Sequence, residues 1–203
     1  MKKLGIEFYN SDNVVVLARA LIGKILVTKL NGLLTSGRIV ETEAYIGLSD
    51  RASHSFGGKR TARNEQMYAC AGTAYVYICY GMHHLFNVVT NKKNIPDAIL
   101  VRAVEPLMGS AIMEKRTGKK ITDKSITRGP GNAAKALGLT KFNSGVSLLK
   151  NEIYIADDGY EVGKKMIGVS KRIGVETAGE AALLPYRFFV KDNSFVSGYP
   201  NKT

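Results

Sequence analysis

The chain has 203 residues, 45% of them hydrophobic, and a net charge of +12 from 29 Lys and Arg against 17 Asp and Glu. This length supports one hydrophobic core, so we expect a single domain over residues 1–203. No apolar run reaches the roughly 18 residues that span a bilayer, and Glu7 interrupts the start before an apolar signal core can form. We therefore expect a cytoplasmic protein with no membrane association.

The positive charge favours a polyanionic partner, although a soluble basic protein without such a partner is the alternative. The basic residues do not form one tail. They recur as pairs at residues 59–60, 92–93, 115–116, 119–120, 164–165 and 171–172. A basic face must therefore be assembled by folding, which suits a folded binder better than a disordered arm.

The cysteines and histidines do not predict a metal site. Cys70 and Cys79 lack C-x-x-C spacing and are expected to be buried, reduced thiols. His83 and His84 are adjacent, so on a strand they would point to opposite faces and form a poor metal pair. We expect neither a metal nor a cofactor.

The first third of the chain predicts a helix followed by a hairpin. Residues 14–22 have helical apolar periodicity, and Gly23 can end that helix. The Asn-Gly pair at 31–32 is a strong two-residue turn signal between strands at residues 24–30 and 33–45. The opening of the sheet is therefore predicted to be antiparallel.

The second of these strands ends in two acids and an aromatic residue, Glu41, Glu43 and Tyr45. Alternate strand residues share a face, so these three side chains should project together. Acids are rarely buried without partners, which leaves two interpretations: a solvated strand edge or the floor of a polar pocket. Two nearby carboxylates are not equivalent, and periodicity alone does not choose the chemically active one.

A long loop follows directly, at residues 46–71, and carries a basic run at residues 59–64. Loops of this length inside a compact domain are uncommon and are usually functional or disordered. Because the loop leaves the acidic strand, it can fold back over the pocket and bring His54 to it. A lone histidine in a polar loop is otherwise usually solvated.

A second hairpin is predicted at residues 72–90, where strict alternation groups Tyr75 and Tyr77 on one face. Gly81 lets the backbone turn and can push Tyr80 and Met82 out at the tip. Large apolar groups at an exposed tip resemble a wedge. The alternative for Tyr80 is an ordinary core tyrosine.

The remaining elements complete a mixed α/β (α+β) prediction, a curved, mainly antiparallel sheet with flanking helices and a protruding β-hairpin. Residues 98–104 form a strand that carries Arg102 and ends at Pro106, and a helix follows at residues 107–117. Residues 128–132 lead into a short helix predicted at residues 133–137, and Gly138 closes it. Three further strands are predicted at residues 153–156, 166–170 and 185–190.

With these segments in view, the chain resembles the alkyladenine (3-methyladenine, methylpurine) DNA glycosylase family. The motifs that carry the resemblance are LARALIG at 17–23, GRIVETEAY at 37–45, ASHS at 52–55, RN at 63–64, GTAYVYICYGM at 72–82, LVRAVEP at 100–106, RGP at 128–130 and IGV at 173–175. The two long motifs are far more specific than a lone glycine loop. The resemblance implies a monofunctional enzyme that hydrolyses the N-glycosidic bond of damaged purines.

The resemblance also implies a role for each site residue. Glu43 would be the general base, and Arg102 would lie near the reacting sugar and phosphate. The base pocket would be lined by Tyr45, His54, Tyr77 and Asn87. Tyr80, with help from Met82, would enter the DNA stack in place of the extruded nucleotide. Candidate phosphate contacts are Lys59, Arg60, Arg63, Arg102 and Arg128.

The expected partner is double-stranded DNA that contains damaged purines, bound by a monomer. Two other functions are considered. A non-catalytic nucleic-acid binder on the same fold would keep the basic face and the wedge, but would be expected to have lost Glu43. An enzyme acting on free nucleosides would leave the wedge and the net charge of +12 unexplained.

Overall fold

The computed structural model describes residues 1–198. In that part of the chain the strands are β1 (Lys2–Lys3), β2 (Ile25–Leu30), β3 (Leu33–Tyr45), β4 (Ala74–Cys79), β5 (His83–Thr90), β6 (Asp97–Met108), β7 (Ile153–Asp157), β8 (Ile167–Ser170) and β9 (Arg187–Val190). The α-helices are α1 (Ile6–Tyr9), α2 (Val14–Ala20), α3 (Ser110–Thr117) and α4 (Pro130–Leu137). Short 3₁₀ turns lie in the connections, at Phe56–Gly58, Glu65–Tyr68, Lys124–Ile126, Lys141–Asn143, Lys164–Met166 and Glu176–Leu183.

The nine strands of residues 1–198 form one open sheet in the order β1-β7-β2-β3-β6-β5-β4, and β9 joins it by pairing with both β3 and β8. Every strand pair in this part of the chain is antiparallel. The predicted α+β class with a mainly antiparallel sheet is therefore confirmed. The Asn-Gly turn joins β2 to β3 as expected, with Leu30 opposite Leu33.

The acidic end of β3 lies inside the sheet and not at its edge. Glu41 pairs with Ala103 of β6 on one side and with Phe189 of β9 on the other. Register shifts between β3 and β6 flank Glu41, and such bulges bend and twist the strand where they occur. The first half of β3 can therefore pair with β2 while its second half receives β9.

The prediction that Pro106 ends its strand is wrong. β6 continues to Met108, and Pro106 pairs with Gly37 next to a register shift in the ladder. A proline has no N–H to give to a ladder, so it is tolerated in a strand where the pairing is already irregular. The following helix therefore starts later than predicted, at Ser110 after Gly109.

Helix packing on one side of the sheet fixes which way the acids point. The hydroxyl of Thr42 donates a 2.8 Å hydrogen bond to the carbonyl oxygen of Ala18 in α2. Leu17 and Ala18 of that helix belong to the main hydrophobic core. Because strand side chains alternate, Glu41 and Glu43 project to the opposite face from α2.

The two cysteines are less buried than expected. Cys70 is exposed and Cys79 is half-buried, so the prediction that both thiols are buried is wrong. Both lie near strand ends, Cys70 just before β4 and Cys79 at the hairpin tip, where burial is incomplete.

Within residues 1–198, no helix is long and apolar enough to cross a membrane.

Candidate active site

A cavity of about 440 Å³ opens between the β4–β5 hairpin, the loop after β3 and the start of α4. Its lining includes eight of the predicted site residues: Tyr45, His54, Arg63, Tyr77, Tyr80, Asn87, Arg102 and Arg128. Residues 173–175, which form one of the motifs, close another side. Seven of the eight motifs that carry the family resemblance therefore contribute residues to this cavity, and LARALIG at 17–23 lies in and after α2 instead.

One wall of the cavity is aromatic. The ring of His54 lies 4.6 Å from that of Tyr77, edge on at 78°, and Tyr77 stacks on Tyr75 with centroids 5.4 Å apart. Nδ1 of His54 lies 2.9 Å from the hydroxyl of Tyr75. Tyr75 was not among the predicted pocket residues, although the alternation that places it beside Tyr77 was visible in the sequence.

The charge state of this wall follows from burial. Burial, reinforced by the charges of Arg63 and Lys59, lowers the pKa of His54 to about 4, so its imidazole is neutral at pH 7. Burial also raises the pKa of Tyr77 above its ordinary value. The wall thus presents neutral aromatic groups to whatever enters the cavity.

The loop that delivers His54 is held by Asn64, a role that sequence reasoning missed. Nδ2 of Asn64 donates to His54 O at 3.0 Å, to Ser55 Oγ at 3.0 Å and to Lys59 O at 2.8 Å. Its Oδ1 accepts from the Thr61 amide at 2.7 Å. One buried side chain therefore ties together two parts of the loop, as the prediction of a folded-back loop requires.

Glu43 is fully buried directly behind Tyr45. Its Oε2 accepts a 2.8 Å hydrogen bond from the Tyr45 hydroxyl, and its Oε1 accepts one from the Ile173 amide, also at 2.8 Å. Arg102 Nη1 lies 3.3 Å from the same Oε1. Burial raises the pKa of the Glu43 carboxyl, although Arg102, the Ile173 amide and the Tyr45 hydroxyl each act to lower it.

Glu41 is equally buried but is occupied differently. It accepts hydrogen bonds from Nε of Arg102 at 3.0 Å, Nε of Arg187 at 2.7 Å and both the amide and the hydroxyl of Ser197. Both acids therefore lie on one face, as predicted, and the solvated-edge interpretation is wrong. Of these two acids, only Glu43 is hydrogen-bonded to a tyrosine that lines the cavity.

The hairpin tip projects away from the core. Tyr80 is 85% exposed and Met82 is 71% exposed. Tyr80 and Gly81 have φ values of 50° and 73°, and left-handed backbone at a tyrosine is costly enough to suggest a functional constraint. The interpretation of Tyr80 as a core tyrosine is therefore wrong, and its ring stands at the rim of the cavity.

The start of α4 packs against the tip of the hairpin. A Cβ placed on Gly131 would come within 3.0 Å of Nδ1 of His83, so glycine permits this close approach. On the cavity side, Asn87 of β5 is buried, and its Nδ2 donates to Tyr75 O and Leu85 O, each at 3.2 Å. These contacts fix the Asn87 amide against the hairpin backbone.

The predicted phosphate contacts fall into two groups. Arg63 and Arg128 line the cavity, and each also bonds a backbone carbonyl, that of Ile78 and of Ser194 respectively. Arg60 instead forms a 2.5 Å ion pair with Glu65, and neither it nor Lys59 lines the cavity. Within the described residues, no group of three or more His, Cys, Asp or Glu side chains could hold a metal ion.

Comparison with known proteins identifies the family of the chain. The family model for methylpurine-DNA glycosylase (MPG) matches residues 7–194. A provisionally named 3-methyladenine DNA glycosylase of Desulfitobacterium hafniense (strain Y51) is 46% identical over 204 residues, covering 97% of this chain and 99% of its own. Proteins with the same provisional name from Clostridium perfringens (strain 13 / Type A) and Bdellovibrio bacteriovorus are 44% and 41% identical, covering 96% and 94% of this chain and 98% and 96% of their own. The chain therefore belongs to the methylpurine-DNA glycosylase family, that is, to the DNA glycosylases of the 3-methyladenine and methylpurine type.

Proposed function

We propose that this protein is a base-excision repair glycosylase that flips alkylated or deaminated purines out of duplex DNA and hydrolyses their N-glycosidic bond. Its substrates would be of the 3-methyladenine, 7-methylguanine, hypoxanthine and ethenoadenine class. The observation that carries the proposal is the Glu43 carboxylate held with Arg102 behind a tyrosine-lined cavity, next to an exposed aromatic hairpin tip. The protein would act as a monomer and without a cofactor.

The first step is access to the base. A base inside a duplex is out of reach of any enzyme group, so the nucleotide must rotate out, and glycosylases are among the standard examples of such base flipping. Tyr80 would fill the vacated position in the stack with help from Met82, and both side chains are exposed. An apolar wedge of this kind offsets part of an unstacking cost of a few kcal/mol. Arg63 and Arg128, at the rim, supply positive charge for the flanking phosphates.

The second step is recognition of the base. Tyr45, Tyr77 and neutral His54 offer aromatic surfaces, and many N-alkylated purines are cationic. Tyrosine rings attract such a base by about 0.5 to 2 kcal/mol more than a neutral one. The Arg172 guanidinium lies 4.7 Å from the centroid of the Tyr45 ring, but it is paired with Asp50, so its charge is compensated. Asn87 would disfavour normal guanine by crowding its exocyclic amine, as the family resemblance implies.

The third step is hydrolysis. Departure of the base leaves an oxocarbenium-like sugar, and a water must add to it while losing a proton. Glu43, as the carboxylate, would accept that proton and stabilise the developing positive charge. The contacts of Glu43 with Tyr45, Ile173 and Arg102 would hold its carboxylate in position for that water.

The proposed reaction is hydrolysis without strand cleavage, and the residues that line the cavity support it. No lysine is among the described residues that line it, so a Schiff-base step on the sugar has no nucleophile there. The expected products are therefore the free base and an intact abasic strand. A non-catalytic DNA binder on the same fold remains the alternative function, and retention of Glu43 at the cavity argues against it.

The test is single-turnover incubation of the protein with duplexes that carry one hypoxanthine, ethenoadenine or 7-methylguanine, with undamaged duplex as the control. We expect base release from at least one lesion duplex and none from the control, with strand breaks appearing only after alkaline treatment. Binding to lesion DNA without base release would support the alternative. Strand breaks before alkaline treatment would contradict simple hydrolysis.

A further inference from the structure

The proposed mechanism uses one of the two acids at the end of β3 and leaves the other, Glu41, without a role. Glu41 is completely buried and accepts four hydrogen bonds of 2.7 to 3.0 Å from Arg102, Arg187 and Ser197. A carboxylate removed from water is costly unless it is paired and fully hydrogen-bonded. Several distant segments of the chain therefore contact a buried carboxylate that is not among the residues lining the cavity.

Arg102 links this buried charge to the candidate base. Its Nε donates to Glu41, its Nη1 lies 3.3 Å from Glu43 and its Nη2 donates to Ser197 Oγ at 3.2 Å. One guanidinium is thus shared between the two carboxylates. With Arg187 on the far side of Glu41, the cluster contains two acids and two arginines, all buried, and its formal charge is zero.

We propose that Glu41 and Arg187 are positioning residues, which hold Arg102 against Glu43 and balance the charge around the candidate base. The inference rests on the proposed function, because Glu43 is the base there. Ser197 closes the arrangement from the end of the described chain, since its amide and hydroxyl bond Glu41 while its carbonyl accepts a hydrogen bond from Arg187. Three elements, β3, β6 and β9, therefore meet at Glu41.

The direction of the charge effect follows from the surroundings of Glu43. The groups that face it are Arg102 of β6, Tyr77 of β4, Glu41 and Tyr45 of its own strand, and Arg172, whose charge is paired with Asp50. The Glu41 charge acts to raise the pKa of Glu43. Glu41→Gln removes that charge, but under the positioning role it also frees Arg102, which lowers the Glu43 pKa more strongly than Glu41 raises it. The positioning role therefore predicts a net rise of the Glu43 pKa in Glu41→Gln, whereas loss of the charge alone would lower it. Removing the Arg187 charge should also raise the Glu43 pKa, because Glu41 is then less compensated.

The experiment measures single-turnover base release against pH, on a duplex with one 7-methylguanine, whose cationic base needs no added proton to leave. The variants are Glu41→Gln, Arg187→Gln and the charge-preserving Arg187→Lys. Matched controls are Asp158→Asn and Arg38→Gln, which make the same charge changes in an ion pair away from the cavity. Circular dichroism and thermal unfolding establish that each variant is folded.

We expect the acidic limb of the profile to move to higher pH in both Glu41→Gln and Arg187→Gln, and a limb at lower pH in Glu41→Gln would show that Arg102 stays in place without Glu41. Arg187→Lys and both controls should leave the limb in place. The maximal rate of Glu41→Gln should fall about 10²-fold, because small misplacements of catalytic groups have effects of that size. Limbs that coincide for all folded variants would overturn the proposal, since a merely structural role changes the amount of folded protein and not the position of the limb.

The Glu41→Gln/Arg187→Gln double variant tests the idea if either single variant does not fold, because removing both charges keeps the cluster neutral. We expect its maximal rate to fall at least about tenfold and its limb to lie at higher pH than that of the wild type, since Arg102 has lost its charged anchor. A wild-type maximal rate in the double variant would overturn the positioning role. Failure of the proposed function looks different, because the wild-type protein would then release no base.

Discussion

Replacing Asn64 with Ala is expected to release the loop that carries His54 into the cavity. The substitution removes three donated hydrogen bonds and at least one accepted hydrogen bond. Lys59 O keeps a bond from the Tyr68 hydroxyl, and solvent can replace some of the others, whereas fully buried Ser55 loses a partner that water does not replace. At about 1 kcal/mol for each net hydrogen bond and more for a buried group left unsatisfied, the loss is about 3 kcal/mol.

Two measurements separate local from global effects of this change. Urea unfolding gives the change in the free energy of unfolding, and amide exchange shows whether residues 53–68 open without the rest of the sheet. Single-turnover kinetics should show a higher half-saturating protein concentration, because the His54 wall no longer forms before the base arrives. Asn13→Ala is the matched control. Asn13 caps α2, far in sequence from the loop, and removing its side chain lowers the free energy of unfolding by about 1 kcal/mol.

The reasoning about this loop would be refuted by a folded Asn64→Ala protein with unchanged amide exchange in residues 53–68 and an unfolding free energy within about 0.5 kcal/mol of the wild type. The same result would show that the hydrogen bonds of Asn64 do not determine the position of His54. Equal effects of Asn64→Ala and Asn13→Ala on base release would also contradict a specific role.

Three further predictions concern the base, the wedge and the phosphate contacts. Tyr45→Phe removes a hydrogen bond that lowers the pKa of Glu43, so that pKa rises and the acidic limb of base release moves to higher pH; an unmoved or lowered limb would contradict the assigned contact. Tyr80→Ala should weaken binding to lesion duplex at least about tenfold more than binding to undamaged duplex, and equal losses on both duplexes would argue against a wedge. Arg63→Ala should reduce the slope of the logarithm of the DNA-binding constant against the logarithm of salt concentration by about 0.9. Arg60→Ala should reduce this slope less, because Glu65 already pairs with Arg60. A larger effect of Arg60→Ala would show that the cavity rim is not the DNA-facing side.

Much of the candidate site was predictable because it is encoded locally. Period-two alternation placed Glu41 and Glu43 on one face, and the glycine after Tyr80 indicated an exposed tip, both of which the structure shows. These predictions depend on residues within a few positions of each other. The length and composition of the loop after β3 likewise indicated that it returns to the acidic strand.

The missed features depend on pairings over long sequence separations. Glu41 is bonded by Arg187 and by Ser197, which are 146 and 156 residues away, so no local pattern connects them. The continuation of β6 through Pro106 depends on a register shift against β3, which a single strand does not reveal. Asn64 looked like one polar residue in a basic loop, and only the folded loop shows how many groups it joins.

The central claim is that the Glu43 carboxylate activates water for base release, and Glu43→Gln tests it most directly. Glutamine keeps the shape of the side chain but does not accept a proton, so the claim predicts a single-turnover rate reduced at least about 10²-fold. Affinity for lesion duplex should stay close to that of the wild type, and Glu152→Gln, an exposed substitution of the same kind, should change neither quantity. Base release by folded Glu43→Gln at the wild-type rate would contradict the account.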